Sequence, residues 1–364
     1  MMKIMYLLFS YTVGGTERLV TNICNQMCLS DNDIYLYIVN DLIDENLVKT
    51  LDSKIHVEFL KRKVGSKDKI TPLIKIARFI KKNNINVVHC NSFNAPELLA
   101  LSKIVNPKCR VISTIHGVGQ FNNVSKLKMS IKNWVCDEFI GISDSVKKDI
   151  LDVGISEDKV IRIYNGIDTH KYKNAVYKLF DKENVILGCV ARIMPSIKGQ
   201  DVLIKATKIL KEEYPSIKVI LAGGVAKADI KDYQKLEKYV IDNKLSESVT
   251  FLGSIDDVPG FLNTIDICVV PSRSEGFGLA LVEAMSMGVP CVASNIAGPK
   301  EIVENEGYGF LFECGNEIDL AKQIKCLISN YNEAKMCAFN KRESIKEKYS
   351  IETMCEMLIC EYCK

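Results

Sequence analysis

Short apolar runs alternate along the chain with longer segments in which apolar side chains recur every three or four positions. Runs of four to seven apolar residues predict buried strands, and the longer periodic segments predict amphipathic helices. Because the two kinds of segment follow one another in turn, the pattern predicts an α/β protein with parallel, doubly wound sheets. The strands predicted in the first half are 3–9, 34–39, 55–60, 87–89, 111–115, 138–142 and 160–163.

The periodicity lapses between residues 169 and 182 and then resumes as a second alternating series. This interruption predicts two Rossmann-like domains, residues 1–168 and 169–350. Ligands of doubly wound sheets bind beyond the carboxyl ends of the strands. Two such domains in series therefore predict an interdomain cleft that holds the ligand.

The composition is that of an ordinary globular chain, with 364 residues, 47% hydrophobic and 26% charged. A net charge of +3 is too small to indicate nucleic acid as a partner. Fourteen cysteines are scattered along the chain and would risk wrong pairing in an oxidising compartment, so we expect a cytoplasmic protein. No stretch reaches the ~20 apolar residues that span a membrane.

The second half contains a strand, a glycine-bearing turn and a helix between residues 265 and 288. The loop carries Glu275 between Ser274 and Gly276, and Gly278 precedes a helix that carries Glu283. The amino end of a helix offers free N–H groups to a phosphate, and glycines allow the backbone to approach it. Two carboxylates beside such a site favour a ligand that also has hydroxyl groups. The alternative is a surface loop with two solvated glutamates and no ligand.

A second candidate loop follows the first strand of this half and reads A-R-I-M-P-S-I-K-G. It carries Arg192 and Lys198, and an arginine fork with a lysine point charge is suited to a diphosphate. The alternative is a solvated basic loop.

Two other features have weaker support. His116 ends a predicted strand and faces the expected cleft, but a lone histidine is as often a packed or capping residue. The triplet Asp31-Asn32-Asp33 precedes a strand rather than ending one, and we interpret it as a turn, not a metal site. With no better carboxylate cluster, we predict no metal, and the cationic role falls to Arg192 and Lys198.

These motifs together resemble glycosyltransferase family 4, the retaining enzymes with the GT-B fold. The resemblance rests on the glutamate pair in its S-E-G-F-G setting, on A-R-I-x4-K-G, on N-G-I-D at 165–168 and on G-G-T-E-R at 14–18. It covers nearly the whole chain. It implies that the first domain holds an acceptor, that the second binds a nucleotide sugar, and that the last helix, 351–364, returns to the first domain.

The resemblance also implies roles for individual residues. Glu283 would bind the ribose hydroxyls, Arg192 and Lys198 the leaving diphosphate, and His116 the donor sugar. Glu275 and the backbone at Gly276, Phe277, Gly278 and Leu279 would hold the sugar and phosphate, and Gly15 would meet the phosphate from the first domain. Departures from the family pattern, such as Lys300 in A-G-P-K-E, leave the sugar and the base open.

The implied enzyme is a metal-independent, retaining hexosyltransferase without a cofactor. It would move a sugar from a nucleotide sugar, with UDP favoured, to a glycan or lipid-linked glycan, in cell-surface polysaccharide synthesis. Alternatives are a nucleotide-sugar epimerase of the same fold, which would need no acceptor, and a non-enzymatic sugar-binding protein. A glycan phosphorylase would require a much longer chain.

Charge is uneven, with 23 Lys and Arg against 18 Asp and Glu up to residue 168, and 25 against 27 afterwards. The predicted helix 126–134 places Lys126, Lys128 and Lys132 among Leu127, Met129, Ile131 and Trp134. This composition is typical of interfacial helices, so we expect contact with an anionic membrane surface. An ordinary solvated helix is the alternative.

Overall fold

The computed structural model describes residues 1–12, 14–122 and 124–364. The strands of its first half are β1 (Lys3–Leu8), β2 (Asp33–Asn40), β3 (His56–Arg62), β4 (Val87–Cys90), β5 (Arg110–Ile115), β6 (Glu138–Gly141) and β7 (Val160–Arg162). The helices of that half are α1 (Gly15–Met27), α2 (Glu45–Val48), α3 (Ile70–Asn83), α4 (Ala100–Val105), α5 (Lys126–Val135) and α6 (Asp144–Asp152).

The second half has strands β8 (Ile186–Val190), β9 (Lys218–Ala222), β10 (Val249–Gly253), β11 (Ile267–Val270), β12 (Cys291–Ser294) and β13 (Phe310–Phe312). Its helices are α7 (Pro195–Lys198), α8 (Gln200–Leu210), α9 (Ile230–Asp242), α10 (Val258–Thr264), α11 (Leu279–Ser286), α12 (Ala297–Glu306), α13 (Glu317–Ser329), α14 (Tyr331–Lys348) and α15 (Ile351–Tyr362). The chain forms two compact units, one of residues 1–166 with 351–364 and the other of residues 167–350.

The first unit is built on a seven-stranded parallel sheet with the order β3-β2-β1-β4-β5-β6-β7. Strands β1 to β3 extend one way from β1, and β4 to β7 extend the other way. The direction of winding therefore reverses between β1 and β4. In a doubly wound sheet this switch point is where loops diverge and leave a crevice for a ligand.

The second unit repeats the plan with six parallel strands in the order β10-β9-β8-β11-β12-β13. Its switch point lies between β8 and β11. The central strands β8, β11 and β12 are short and buried on both faces, which is why they are apolar runs rather than alternating segments.

The last helix, α15, completes the core of the first unit. Its apolar face, with Ile351, Met354 and Leu358, joins the same buried cluster as Leu19 and Ile23 of α1. Each fully buried side chain of this size contributes about 1.5–3 kcal/mol. The first unit is therefore assembled from two parts of the chain that are far apart in sequence.

No helix within the described residues combines the length and the apolarity needed to cross a bilayer. All fourteen cysteines are free thiols, and most of them are buried.

Candidate active site

The two candidate loops of the second unit leave adjacent strands on either side of its switch point. The loop with Arg192 and Lys198 follows β8, and the loop with Glu275 follows β11. Strands β8 and β11 pair directly, with Ile267 opposite Leu187. Because both strands run in the same direction, both loops emerge at the carboxyl edge of the sheet.

Lys198 and Glu275 form the central contact between these loops. The Lys198 Nζ atom donates to Glu275 Oε2 at 2.5 Å, and the Ser272 hydroxyl donates to the same oxygen at 3.3 Å. The side chains of Lys198 and Glu275 are 25% and 20% exposed, so the pair is largely shielded yet open to a ligand. Lysine has three donors and the carboxylate four acceptor positions, so both groups keep capacity for a further partner.

Gly199 explains how the two loops come so close. It has φ +67°, a left-handed conformation, and a Cβ atom built on it would lie 1.9 Å from the Pro271 carbonyl oxygen. Only glycine fits this contact. The Arg273 N–H then donates to the Ile197 carbonyl at 2.7 Å, so the short helix α7 is fastened to the loop after β11.

Arg192 lies in the loop after β8, but its side chain is not joined to the Lys198–Glu275 pair. It is 51% exposed, and its Nε atom lies 3.9 Å from Asp229 Oδ2, at the outer limit of an ion pair. Its backbone is well fixed because the fully buried Gln200 donates from Nε2 to the Arg192 carbonyl at 2.9 Å. The residue is thus fixed through its backbone, while its guanidinium is half exposed, with Nη2 3.7 Å from Met194 Sδ.

The loop after β11 presents backbone rather than apolar side chains to the carboxyl edge. Gly276 and Gly278 are buried, and Phe277 is 2% exposed with its ring 5.8 Å from that of Tyr349. Helix α11 begins at Leu279, directly after Gly278, and its amino end has no side-chain cap. Its first N–H groups therefore remain for a ligand or water.

Glu283 lies in the second turn of α11 and is half-buried. Its charge is close enough to the buried Cys268 thiol to add to the rise in pKa that the Cys291 hydrogen bond and burial impose on that thiol. Lys300, which departs from the family pattern, lies on α12 and pairs with Glu304 at 3.7 Å on the exposed face of that helix.

Sequence reasoning missed two supports of this site. Arg273 forms a bidentate pair with Asp201, at 2.6 and 2.7 Å, and also donates to the Pro195 carbonyl at 2.7 Å. Gln200 holds the Arg192 loop from the first turn of α8. A polar side chain directly after Lys198-Gly199 was a usable signal for Gln200, but nothing in the sequence pairs Arg273 with a residue 72 positions away.

In the first unit, Gly15 is the first residue of α1. The N-cap of this helix is Gly14, which has an extended conformation and no side chain to form a cap. A Cβ atom on Gly14 would lie 2.3 Å from Glu17 Oε2, so the Glu17 side chain folds back over the helix start. Helix α1 thus begins beside the switch point with the Glu17 carboxylate over its amino end.

His116 follows β5 directly and lies largely within the protein. Its Nε2 atom lies 3.3 Å from Oδ1 of Asn91, which follows β4. Burial lowers the pKa of His116 to about 4, so the ring is neutral at pH 7. Asn91 is 4% exposed, and its Nδ2 atom has no partner among the described residues.

His89, which lies in β4, is a core residue. Its ring is fully buried between the Tyr362 hydroxyl of α15, at 2.5 Å, and the Thr114 hydroxyl, at 2.6 Å. Burial, with a smaller contribution from His116, lowers its pKa to about 3.

The structure shows no group of three or more potential metal ligands among the residues it describes. In the triplet at 31–33, Asn32 Oδ1 accepts from the Met2 N–H at 3.0 Å in the turn before β2. This is the structural turn expected from the sequence.

Sequence comparison matches both halves of the chain to known families. Residues 172–344 match the family described as glycosyl transferases group 1, and residues 13–171 match glycosyltransferase family 4. An uncharacterized glycosyltransferase, MJ1178 of Methanocaldococcus jannaschii, is 31% identical over 356 residues, covering 93% of this chain and 92% of the relative. This chain belongs to the family 4, group 1 glycosyltransferases.

Two further relatives of this glycosyltransferase have more specific names. A capsular polysaccharide biosynthesis glycosyltransferase, CapM of Staphylococcus aureus, is 25% identical and covers 88% of this chain and 87% of the relative. An Escherichia coli UDP-Gal:alpha-D-GlcNAc-diphosphoundecaprenol alpha-1,3-galactosyltransferase is 28% identical and covers 75% of this chain and 74% of the relative.

The fold of the glycosyltransferase is also that of solved members. Anabaena Alr3699/HepE, solved in complex with UDP, superposes with a TM-score of 0.85 at 21% identity and 99% coverage of both chains. The predicted fold class, two Rossmann-like domains of the GT-B type, is thereby confirmed. Nothing in these matches favours the epimerase or the non-enzymatic sugar-binding protein.

Proposed function

We propose that this glycosyltransferase moves a sugar, with retention of configuration, from a UDP-sugar to a lipid-linked glycan in cell-surface polysaccharide synthesis. The names of two relatives support the class of acceptor, one acting on a diphosphoundecaprenol-linked sugar and one in capsular polysaccharide synthesis. The UDP bound to the structural relative supports the nucleotide.

The observation that carries the proposal is the meeting of Lys198 and Glu275 at the switch point, beside the uncapped start of α11. A cation, a carboxylate and free N–H groups at one sheet edge match the parts of a sugar diphosphate. The phosphates need the cation and the amides, and the sugar hydroxyls need the carboxylate.

The chemistry then follows from fixed charge. As the bond between sugar and phosphate breaks, negative charge grows on the leaving diphosphate. Lys198, the half-exposed guanidinium of Arg192 and the first amides of α11 would stabilise it, which is usually the largest single contribution to catalysis. We propose that these groups suffice without a metal ion and that no other cofactor takes part.

We further propose front-face displacement, in which the acceptor oxygen attacks the anomeric carbon on the side from which the diphosphate leaves. The departing phosphate oxygen takes the acceptor proton, so no protein base is required. Glu275 is held by Lys198 and Ser272 and acts on sugar hydroxyls rather than as a nucleophile. Isolation of a covalent adduct between the sugar and the protein would disprove this route.

Gly15 and His116 remain predictions. The resemblance assigns them contacts with the donor phosphate and sugar, and both lie at the carboxyl edge of the first sheet. A neutral His116 suits a hydrogen bond to a sugar hydroxyl rather than a salt bridge to phosphate.

The test is release of UDP from a panel of UDP-sugars, with and without lipid-linked acceptor glycans. Glu275→Ala should abolish turnover, and Arg192→Ala should lower kcat by about 10²-fold with a smaller effect on donor binding, because its charge acts late in the reaction. Lys178→Met is the matched control, since Lys178 pairs with Asp266 at the opposite end of β11. Full activity of the Glu275 or Arg192 variant would rule out the assignment.

We also propose that the enzyme is cytoplasmic and peripheral to an anionic membrane through α5. Leu127 and Trp134 are seven positions apart on this helix, so they share a face, and they are 71% and 50% exposed. Lys126 and Lys128 are exposed beside them. The expectation that Lys132 belongs to this surface was wrong.

Lys132 is only 1% exposed because it fills an internal role. Its Nζ atom donates to the Phe93 carbonyl at 2.5 Å, lies 3.4 Å from Glu97 Oε1 and sits over the Phe93 ring at 4.2 Å. The helical face that carries Lys132 is the one that packs on the unit, and the opposite face carries Leu127 and Trp134.

Trp134 is the single tryptophan of the chain and reports directly on this contact. Vesicles rich in phosphatidylglycerol should shift its emission to the blue at low salt, and neutral vesicles should not. Leu127→Glu should suppress the shift. If anionic vesicles leave the emission unchanged, the membrane contact is wrong and the proposed reaction is unaffected.

A further inference from the structure

A basic groove of about 640 Å³ lies on the first unit between β3 and α3. Its lining includes Tyr37, Glu58, Lys75, Arg78, Phe79 and Lys82. Strand β3 is the edge strand of the seven-stranded sheet, so the groove is at the far side of the sheet from β5 and His116. With strands about 4.8 Å apart, β3 and β5 are separated by about 19 Å.

The groove lies where α3 packs on β2 and runs beside the edge strand β3. The Phe79 ring packs edge-on against Tyr37 and Tyr35, with ring centroids 5.0 and 6.0 Å apart. Tyr37 pairs in register with Glu58, so both side chains point to the face of the sheet that α3 covers. Glu58 lies beyond the helix and is exposed.

Four cations of α3 line the groove: Lys75, Arg78, Lys81 and Lys82. Lys75, Arg78 and Lys82 lie at positions i, i+3 and i+7 of α3, so they form one row along about 10 Å of the helix. All three are exposed, and none forms an ion pair within the described part of the chain. Lys132 and Lys103 in the same unit are instead paired with carboxylates at 3.4 and 2.6 Å.

The floor of the groove has groups that suit hydroxyl-bearing ligands. The Tyr37 residue is 3% exposed, and its hydroxyl makes no hydrogen bond to the described residues. Burial, with a smaller contribution from Glu58, raises the pKa of Tyr37 to about 12, so it stays a donor at neutral pH. Glu58 is an acceptor for hydroxyl groups, and the Phe79 ring offers an apolar face.

We propose that this groove binds an acidic glycan, with its carboxylate or phosphate groups on the row Lys75, Arg78 and Lys82 and its hydroxyls on Tyr37 and Glu58. The inference rests on the proposed function in that it assigns the growing acceptor chain to an anionic class. It places that chain at the edge of the first sheet, about 19 Å across the sheet from β5.

The mixed chemistry favours a glycan over a bilayer. Besides its cations the groove has two groups that bind hydroxyls, Tyr37 and Glu58, which match the mixture of charges and hydroxyls on an acidic glycan. Tyr37 is only 3% exposed at the floor of the groove, whereas the cations are exposed, so a single chain that enters the groove reaches both.

The experiment is binding of a tetragalacturonate probe to the full chain by calorimetry, without a donor. The triple variant Lys75→Gln, Arg78→Gln, Lys82→Gln should bind at least tenfold more weakly, and Tyr37→Phe a few-fold more weakly. The matched control neutralises three other exposed lysines of the same unit, Lys49→Gln, Lys108→Gln and Lys148→Gln, and should bind as the natural chain does. Neutral maltotetraose should not bind measurably.

Other outcomes overturn the inference. Suppose that the natural chain does not bind tetragalacturonate but binds phosphatidylglycerol vesicles, and that the groove triple variant no longer binds the vesicles. The groove is then a membrane site. Equal weakening in the control triple variant would mean that affinity follows net charge alone. UDP release with a short neutral acceptor is measured in parallel. Its absence in the natural chain would contradict the proposed reaction, and its loss in the groove variants alone would mean that the groove takes part in the reaction itself.

Discussion

At the scale of the residue, the candidate site depends on a few close contacts between loops. Lys198 meets Glu275, Gly199 meets Pro271, and Gln200 holds the Arg192 carbonyl. These three consecutive residues of one loop each have a different partner. The short sequence K-G-Q therefore supplies a cation for Glu275, a glycine that lets the backbone pack against Pro271, and a side chain that holds the Arg192 carbonyl. A change at any of the three should affect the others.

Gly199→Ala tests the close approach. Alanine adds a Cβ atom that would overlap the Pro271 carbonyl, and φ +67° itself disfavours it, so we expect a loss of at least about 2 kcal/mol in the free energy of unfolding. Urea denaturation measures the loss. Gly154→Ala is the control, because it has φ +87° with no atom within 4 Å of the added Cβ, and should cost about 1 kcal/mol. Equal losses in the two variants would contradict this account.

Lys198 and Glu275 should act as a unit in catalysis. We expect Lys198→Met and Glu275→Gln each to lower kcat by about 10²-fold or more, and the double variant to be little worse than either. The measurement is a double-mutant cycle on kcat/KM. Additive losses, with each residue contributing independently, would mean that the 2.5 Å pair is not maintained when the donor is bound.

At the scale of the element, α15 is the part whose position is least expected from local sequence. Its terminal turn brings Glu361 beside Glu138 of β6, and Arg110 pairs with Glu138 at 2.5 Å. Burial and the neighbouring Glu361 raise the pKa of Glu138 to about 7, although Arg110 opposes the rise. A carboxyl group with a raised pKa favours the folded state while it is protonated.

Because the pKa of Glu138 is raised in the folded protein, the contact stabilises the protein less as the pH rises. The contribution of Glu138 to stability is full near pH 4.5 and is lost as the pH rises through about 7. Glu138→Gln mimics the protonated form, so its stability relative to the natural chain should rise by about 1–3 kcal/mol between pH 5 and pH 8. Urea denaturation across this range gives the difference. Glu157→Gln, at an exposed site, should show no such trend.

At the scale of the whole molecule, each unit has its own buried core and its own parallel sheet. The second unit is continuous in sequence, whereas the first requires both ends of the chain. Units with separate cores are expected to unfold in separate steps.

Ligand binding should distinguish the two steps. UDP at 100 times its Kd stabilises the unit that binds it by about 2.7 kcal/mol. It should therefore raise the midpoint temperature of one calorimetric transition and leave the other nearly unchanged. We expect the raised transition to be that of residues 167–350. A fragment of those residues should reproduce it, and a rise confined to the other transition would move the UDP site to the first unit.

The sequence by itself determined much of this protein. Apolar runs such as β11 predicted the strands. The glycine-flanked Glu275 and the A-R-I-x4-K-G loop predicted the candidate site, and the motifs together indicated the family. These predictions were possible because strand burial and tight turns depend on neighbours in sequence. Tertiary structure alone decided that Lys132 is internal and that Arg273 pairs with Asp201, 72 positions away. It also decided that a basic groove lies between β3 and α3. These features depend on which elements become neighbours in space, and a local pattern of residues does not contain that information.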